Sequence, residues 1–372
     1  MMQHTHIEID CTAIGNNLRN IRGKAGADVK ILLAIKADGY GHGAVPIARY
    51  VERHNLADMF GVSSPAEGVE LRNAGITMPV LVLGLILPDS ETIDTLLEHS
   101  LTQTVADYSL AVSINERARL HGTTALLHLK VDTGMGRIGC PSGNAPDIAE
   151  KISSLGHTSL DGLFTHFPVS DDPASQFTKR QIRLFSEIID DILARGIDVP
   201  LRHAANSAAI LNFDDSFFTM IRPGVMAYGY MPSPESRRSI AITPSMTLKS
   251  HIVFVKNVPA GTGISYGLTH TTERDTCIVT VPVGYGDGYS RFLSNRGRVL
   301  IRGKEYPVAG KVCMDQILVD TGNDCYPVGE EVVLFGKDII TAETIASMIG
   351  TIPYEVTCGM SKRVPRIYIN DD

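Results

Sequence analysis

The chain has no tryptophan, from which nothing follows. It also has no GxGxxG turn after its first strand and no GxxxxGK[ST] segment, so neither the dinucleotide fingerprint nor the P-loop is present. It lacks the basic excess of a general nucleic-acid binder: 34 Lys plus Arg face 41 Asp plus Glu, a formal charge of −7, and no helix-turn-helix or zinc-finger spacing offsets that balance. A local phosphate pocket is compatible with the same charge. No apolar run is long enough to predict a signal peptide or a membrane span. The six cysteines, at 11, 140, 277, 313, 325 and 358, form no close pairs and read as reduced thiols of a cytoplasmic protein rather than a disulfide framework. Cys313 and Asp315 have no further ligands at useful spacing, so no metal site is expected.

What is present is length, glycine and regular alternation. At 372 residues with 34 glycines, the chain exceeds one ordinary core, and two domains are expected. Apolar runs near 31, 57, 80, 101, 125, 160, 199 and 218 count eight strands, each followed by a helix or loop. That repetition predicts an α/β fold, a closed (β/α)8 TIM-type barrel rather than an open doubly wound sheet. Ser64, Pro65 and Glu67 spell a capped helix start, with Gly75 closing the helix. Residues 231–240, MPSPESRRSI, read as a linker, and beyond them β-rich runs are broken by one helical patch, TAETIASMIG. The expected boundaries are 11–235 for the barrel and 236–372 for a mostly β C-terminal domain, a small barrel or sandwich joined by the N-terminal strand 1–10.

Residues able to do chemistry gather at strand ends. Lys36 ends the run ILLAIK and opens onto GYGHG, at the carboxyl end of a strand, where α/β proteins place ligands. Lys130, Asp132 and Arg137 follow in LKVDTGMGRIG, His166 ends FTHF, His203 and Ser207 lie in HAANSAA, and Arg222 precedes Gly224 in MIRPG. Singly, each has an ordinary reading: a solvated lysine, a satisfied core imidazole, a capping serine, a surface arginine. Jointly they outline a site where glycine-flanked loops suit a phosphate and Lys36 supplies an amine. Pyridoxal phosphate fits that pair physically, offering an aldehyde to the amine and a ring that stabilises a carbanion. In the second domain SYG, VGYGDGY and VCMDQ set polar groups among glycines, either as hairpin turns or as groups projecting across an interface.

The ordered set AIKADGYGHG, LKVDTGMGRIG, FTHF, HAANSA, MIRPG, SYG, VGYGDGY, VCMDQ and YEVTC, spread over about residues 5 to 368, resembles the successive motifs of the alanine racemase family. The resemblance implies a pyridoxal 5'-phosphate enzyme acting on a small amino acid, a homodimer with two composite active sites. It implies that Lys36 is the Schiff-base lysine and the base on the D-alanine side. Tyr266 would be the opposed base on the L-alanine side, reaching across from the other subunit. Phosphate contacts would come from Tyr40, Ser207 and Tyr354 with the backbone of Gly224 and Val225. Arg222 would face the pyridine nitrogen, Arg137 the phenolic oxygen and the substrate carboxylate, with His166 and His203 in support. Met314 and Asp315 would stand beside the substrate of the other subunit, and Lys130 would carry a carbamate that fixes Arg137. The implied role is supply of D-alanine for peptidoglycan, with D-alanine catabolism as the lesser reading. A tyrosine of reference pKa near 10 needs positive charge nearby to act as a base, and Arg137 with His166 is expected to provide it. The chain departs from the family pattern at Lys311, Gly286 and Pro168, which bears on turnover, dimer tightness and substrate breadth. Other readings are a different amino-acid racemase, a decarboxylase, which would need an acidic group in place of Arg222, and a cofactor-binding homeostasis protein, which would match the barrel alone. A scaffold without cofactor is the last.

Overall fold

The computed structural model describes residues 4–236 and 239–371. Parallel strands Lys30–Ala34, Met59–Val62, Val80–Val82, Thr102–Val105, Ala125–Asp132, Thr158–Phe164, Leu201–His203 and Met220–Ile221 pair in that order. The last returns to the first, Met220 opposite Lys30 and Ile221 opposite Ile31, closing the eight-stranded barrel that the alternation predicts. Both faces of these strands are covered, which is why they read as continuous apolar runs. Leu32, Met59, Leu81, Leu201 and Met220 pack together as one cluster inside the barrel, while Ile31, Leu33, Phe60 and Val80 belong to the larger core beneath the helices. Toward the carboxyl ends of the strands the buried residues become polar: His128, Lys130 and His203.

The surrounding helices start where short polar side chains satisfy their first N–H groups. Asp10, Asp89, Asp107 and Ser175 each accept from the residue three positions on. Helix Pro65–Asn73 begins at the predicted place, but Ser64 makes no side-chain cap and Glu67 turns elsewhere, as described below.

Strand His6–Asp10 lies between Met246–His251, antiparallel, and Arg366–Ile369, parallel, in a six-stranded sheet with Glu331–Phe335, Arg298–Ile301 and Lys304–Pro307. Phe254–Val258, Thr276–Val281 and Ile317–Gly322 form a three-stranded sheet. The patch TAETIASMIG is helix Ala342–Ile349, and it is followed by a helix, Pro353–Cys358, that the periodicity does not mark. Residues 1–3, within the expected N-terminal strand 1–10, and residues 237–238, within the expected linker, lie outside the described residues, as does residue 372. Among the described residues no helix is long and apolar enough to cross a membrane.

Candidate active site

Strand Lys30–Ala34 delivers the chain to the barrel mouth, where it turns left-handed. Ala37, Asp38, Gly39 and Tyr40 have φ of 52°, 52°, 60° and 55°, a conformation that costs a residue with a Cβ roughly 1–2 kcal/mol. Such strain persists only where the surroundings impose it. Here the Ala37 N–H donates to Glu67 Oε1 at 2.8 Å, and the Ala44 N–H to Asp38 Oδ1 at 2.8 Å. Arg366 donates twice to Gly41 O, at 3.2 and 3.1 Å, and the Tyr368 hydroxyl to His42 O at 3.0 Å. His42, fully buried, donates from Nδ1 toward Gly39 O and Tyr40 O at 3.0 Å each, and burial pushes its pKa down to about 4. The Glu67 carboxylate also accepts from the Ser63 N–H at 2.6 Å, so the predicted capping glutamate braces the lysine loop instead.

The turn sets the Tyr40 ring against Tyr228 and Tyr354, with ring centres 5.1 and 6.0 Å away. Its hydroxyl stands beside Gly224, where a Cβ would lie 2.6 Å from the phenolic oxygen, so only glycine keeps that corner open. The Gly224 N–H donates to Ser207 Oγ at 2.9 Å. Asn206, not Ser207, caps the short helix Ser207–Asn212 by accepting from the Ala209 N–H at 3.0 Å, and this leaves the Ser207 hydroxyl to the glycine loop.

Arg222 is buried and spends its donors inside the barrel: on His203 Nδ1 at 2.9 Å, Thr165 O at 2.9 Å, Ala204 O at 2.9 Å and His166 Nδ1 at 3.1 Å. A guanidinium only donates, so both imidazoles accept at Nδ1. Burial, then Arg222, holds His166 and His203 well below the usual histidine range. That shift disfavours the charged imidazole, and with it the positive charge expected of His166.

Burial first, then Arg137, lowers the pKa of Lys36, with Glu67 opposing and Arg222 adding to the effect. The same forces act harder on Lys130, which burial, Arg222 and Arg137 hold well below the usual lysine range. Its amine sits 4.5 Å above the Phe164 ring and has no hydrogen-bond partner among the described residues. Asp132 does not serve it, because that carboxylate accepts from the N–H groups of Gly134, Met135 and Gly136 at 2.8–3.2 Å.

A cavity of about 320 Å³ at the barrel mouth brings together Lys36, Tyr40, His166 and Ser207. Arg222, Gly224, Val225 and Tyr354 also line it, whereas Arg137 and His203 of the expected cofactor residues do not. His203 stands behind Arg222, and Arg137 acts on Lys36 through its charge. Tyr266, Met314 and Asp315 do not line this cavity; Tyr266 is 69% exposed and Met314 53%. Asp315 pairs with Arg363 at 2.8 Å, and Arg363 also holds Asp287 at 2.7 Å. A Cβ on Gly286 would meet Arg363 Nη2 at 2.7 Å, so this glycine and that arginine go together. The Lys311 amine lies beside the Tyr266 turn, 3.2 Å from where a Cβ on Gly267 would be. Nothing in the structure explains Pro168. Cys358, in the segment YEVTC, also lines the cavity, and His42 and Glu67 hold the loop; of these only the histidine set between glycines carries a signal in the sequence.

Residues 9–232 match the family model described as alanine racemase, N-terminal domain, and residues 245–368 match alanine racemase, C-terminal domain. An alanine racemase of Halothermothrix orenii is 42% identical over 370 residues, 98% of this chain and 97% of that protein. Among solved structures, an alanine racemase of Clostridium difficile 630 superposes with a TM-score of 0.95 at 38% identity, covering 100% of this chain and 97% of the other. That of Bacillus anthracis with bound L-Ala-P gives a TM-score of 0.91 at 33% identity, covering 100% and 97%.

Proposed function

The chain belongs to the alanine racemase family, and from that membership we propose that it interconverts L-alanine and D-alanine by a two-base mechanism with pyridoxal 5'-phosphate as resident cofactor. The observation that carries this reading is the meeting, in one cavity, of a lysine with a lowered pKa, a donor-only arginine and an open corner between Tyr40, Ser207 and Gly224. These residues fit the cofactor. The corner kept clear at Gly224 suits a phosphate, held by Tyr40, Ser207 and Tyr354 with the backbone of Gly224 and Val225. When bound, the cofactor supplies an aldehyde for an amine and a ring that takes up the electron pair left by the α-proton.

Lys36 would hold the cofactor through its amine, whose neutral form the lowered pKa favours. Inversion then needs a proton removed from one face of a planar centre and another delivered to the opposite face, which one lysine cannot do. Lys36 serves the D-alanine face and Tyr266 the L-alanine face. Because Tyr266 is exposed and away from the Lys36 cavity of its own chain, we assign the protein to a homodimer in which Tyr266, Met314 and Asp315 of each chain complete the other chain's site. Arg222, which only donates, would hold the ring nitrogen by a hydrogen bond rather than hand it a proton. Arg137 holds the substrate carboxylate, itself fixed by a carbamate on Lys130; the unpartnered amine supports that assignment. His166 and His203 steady Arg222. Boundaries at 11–235 and 236–372 with the N-terminal strand 1–10, a cytoplasmic location and supply of D-alanine for peptidoglycan complete the proposal.

The test uses purified holoenzyme in deuterated water. The expected result is a visible cofactor band and exchange of the α-hydrogen of both alanine enantiomers with inversion. A cofactor band without exchange would make this a binding protein, and exchange confined to another amino acid would replace alanine.

A further inference from the structure

His128 and Asp161 have no part in the assignments above, yet they extend a line of contacts that begins at Arg222. Arg222 donates to His203 Nδ1 at 2.9 Å; His203 Nε2 lies 2.9 Å from His128 Nδ1; His128 Nε2 lies 3.5 Å from Asp161 Oδ2. Each proton in the line is set by its neighbour. Since the guanidinium only donates, His203 Nδ1 holds a lone pair, and a neutral imidazole then carries its proton on Nε2. That proton can go only to His128 Nδ1, which must accept. His128 in turn carries its proton on Nε2, facing the carboxylate. The two donations therefore run the same way, outward from the buried cation, and the far nitrogen of His128 faces, at 3.5 Å and without a hydrogen bond among the described residues, an anion whose side chain is 26% exposed.

The chain gives up strand substance to build this line. Gly162 lies inside strand Thr158–Phe164, where glycine packs poorly and marks a close approach. A Cβ there would come within 2.4 Å of His128 Nδ1, and the pairing register shifts between Leu127 and His128 at the same place. Phe164 stacks on His203 with ring centres 4.7 Å apart and planes 5° from parallel, which fixes the plane of that imidazole. Without the Asp161 carboxylate, the His128 proton is kept on Nε2 by His203 alone. On Nδ1 it would face the His203 proton head on, and His203 could answer only by presenting an N–H to Arg222.

We propose that His128 and Asp161 are positioning residues for the reaction: His128 accepts the His203 proton, Asp161 faces the far nitrogen of His128, and together they hold His203, and through it the Arg222 guanidinium, in place at the cavity wall. The consequence for Arg222 rests on the cofactor reading above; the tautomers rest on this chain alone. The experiment is nitrogen NMR of the holoenzyme and of the cofactor-stripped protein, labelled with ¹⁵N-histidine, together with the visible band of bound pyridoxal phosphate as a function of pH. In the native protein His203 and His128 should both be protonated on Nε2, with or without cofactor. H128L removes the acceptor and should weaken cofactor retention about tenfold or more, moving the His203 signals and the pH response of the band. H128N returns an oxygen near the place of Nδ1 and should recover most of both. D161A should move the His203 signals, whereas D161N, which keeps an acceptor, should not. His203 protonated on Nδ1 in the native protein would overturn the proposal, as would H128L and D161A variants whose His203 signals and cofactor band match the native ones. If H128L does not fold, the D161A and D161N pair decides, since Asp161 is partly exposed. The expected tautomers in a protein that shows no cofactor band would uphold the line and count against the cofactor reading.

Discussion

Lys36 and Lys130 are both deprived of water, and they differ in what meets the amine. For Lys36 the largest charge acting after burial is Arg137, and it lowers the pKa. Replacing Arg137 with leucine should raise that pKa, reduce the neutral amine at a given pH and shift cofactor capture by the stripped protein toward higher pH; the rate at which the visible band appears, measured against pH, checks this. An Arg137→Leu profile at or below the native one would show that burial alone tunes the lysine. For Lys130 the unpartnered amine makes two opposite outcomes distinguishable. If it carries a carbamate that holds Arg137, Lys130→Met should destabilise the fold by about 1–3 kcal/mol, the cost of leaving buried donors unmet. A bare amine predicts equal or higher stability. Labelled bicarbonate should add a carbamate carbon signal to the native protein and none to the variant.

The element that most depends on its surroundings is the left-handed turn after Lys36. Its glycines were legible in the sequence as a loop at a strand end, but the positive φ of Ala37, Asp38 and Tyr40 was not, because local preference assigns that conformation to glycine. The contacts that impose it come from Glu67, Arg366 and Tyr368, which are remote in sequence. Glu67 read as a cap for the same reason: the pattern was right for a helix start, and a tertiary donor outbid it. His42 gives the turn a pH dependence. Its folded pKa, about 4, lies below the ordinary value of 6.5, so the folded state refuses a proton that the unfolded chain accepts. The stabilisation is complete above about pH 6.5 and declines as pH falls toward 4, by roughly 3 kcal/mol in full. Urea midpoints across that window should fall more steeply for the native protein than for His42→Asn, and equal slopes would remove His42 from the acid response.

At the scale of the molecule, the barrel was legible because parallel strands buried on both faces leave continuous apolar runs, and their order follows the chain. The six-stranded sheet was less so, since it pairs His6 with Lys249 and Ile7 with Arg366, partners that no local period encodes. Of the cavity, the polar residues at strand ends could be seen in advance. His128 could not, because one histidine within an apolar strand reads as core. Tyr266 is exposed and does not line the Lys36 cavity of its own chain. Two inactive variants, Lys36→Ala and Tyr266→Phe, therefore test the two-chain site most directly when unfolded together and refolded as a mixture. Composite sites predict that hybrid dimers contain one intact site, built from Lys36 of one chain and Tyr266 of the other, and that the mixture recovers roughly a quarter of native racemase activity. A mixture as inactive as either variant alone would contradict it.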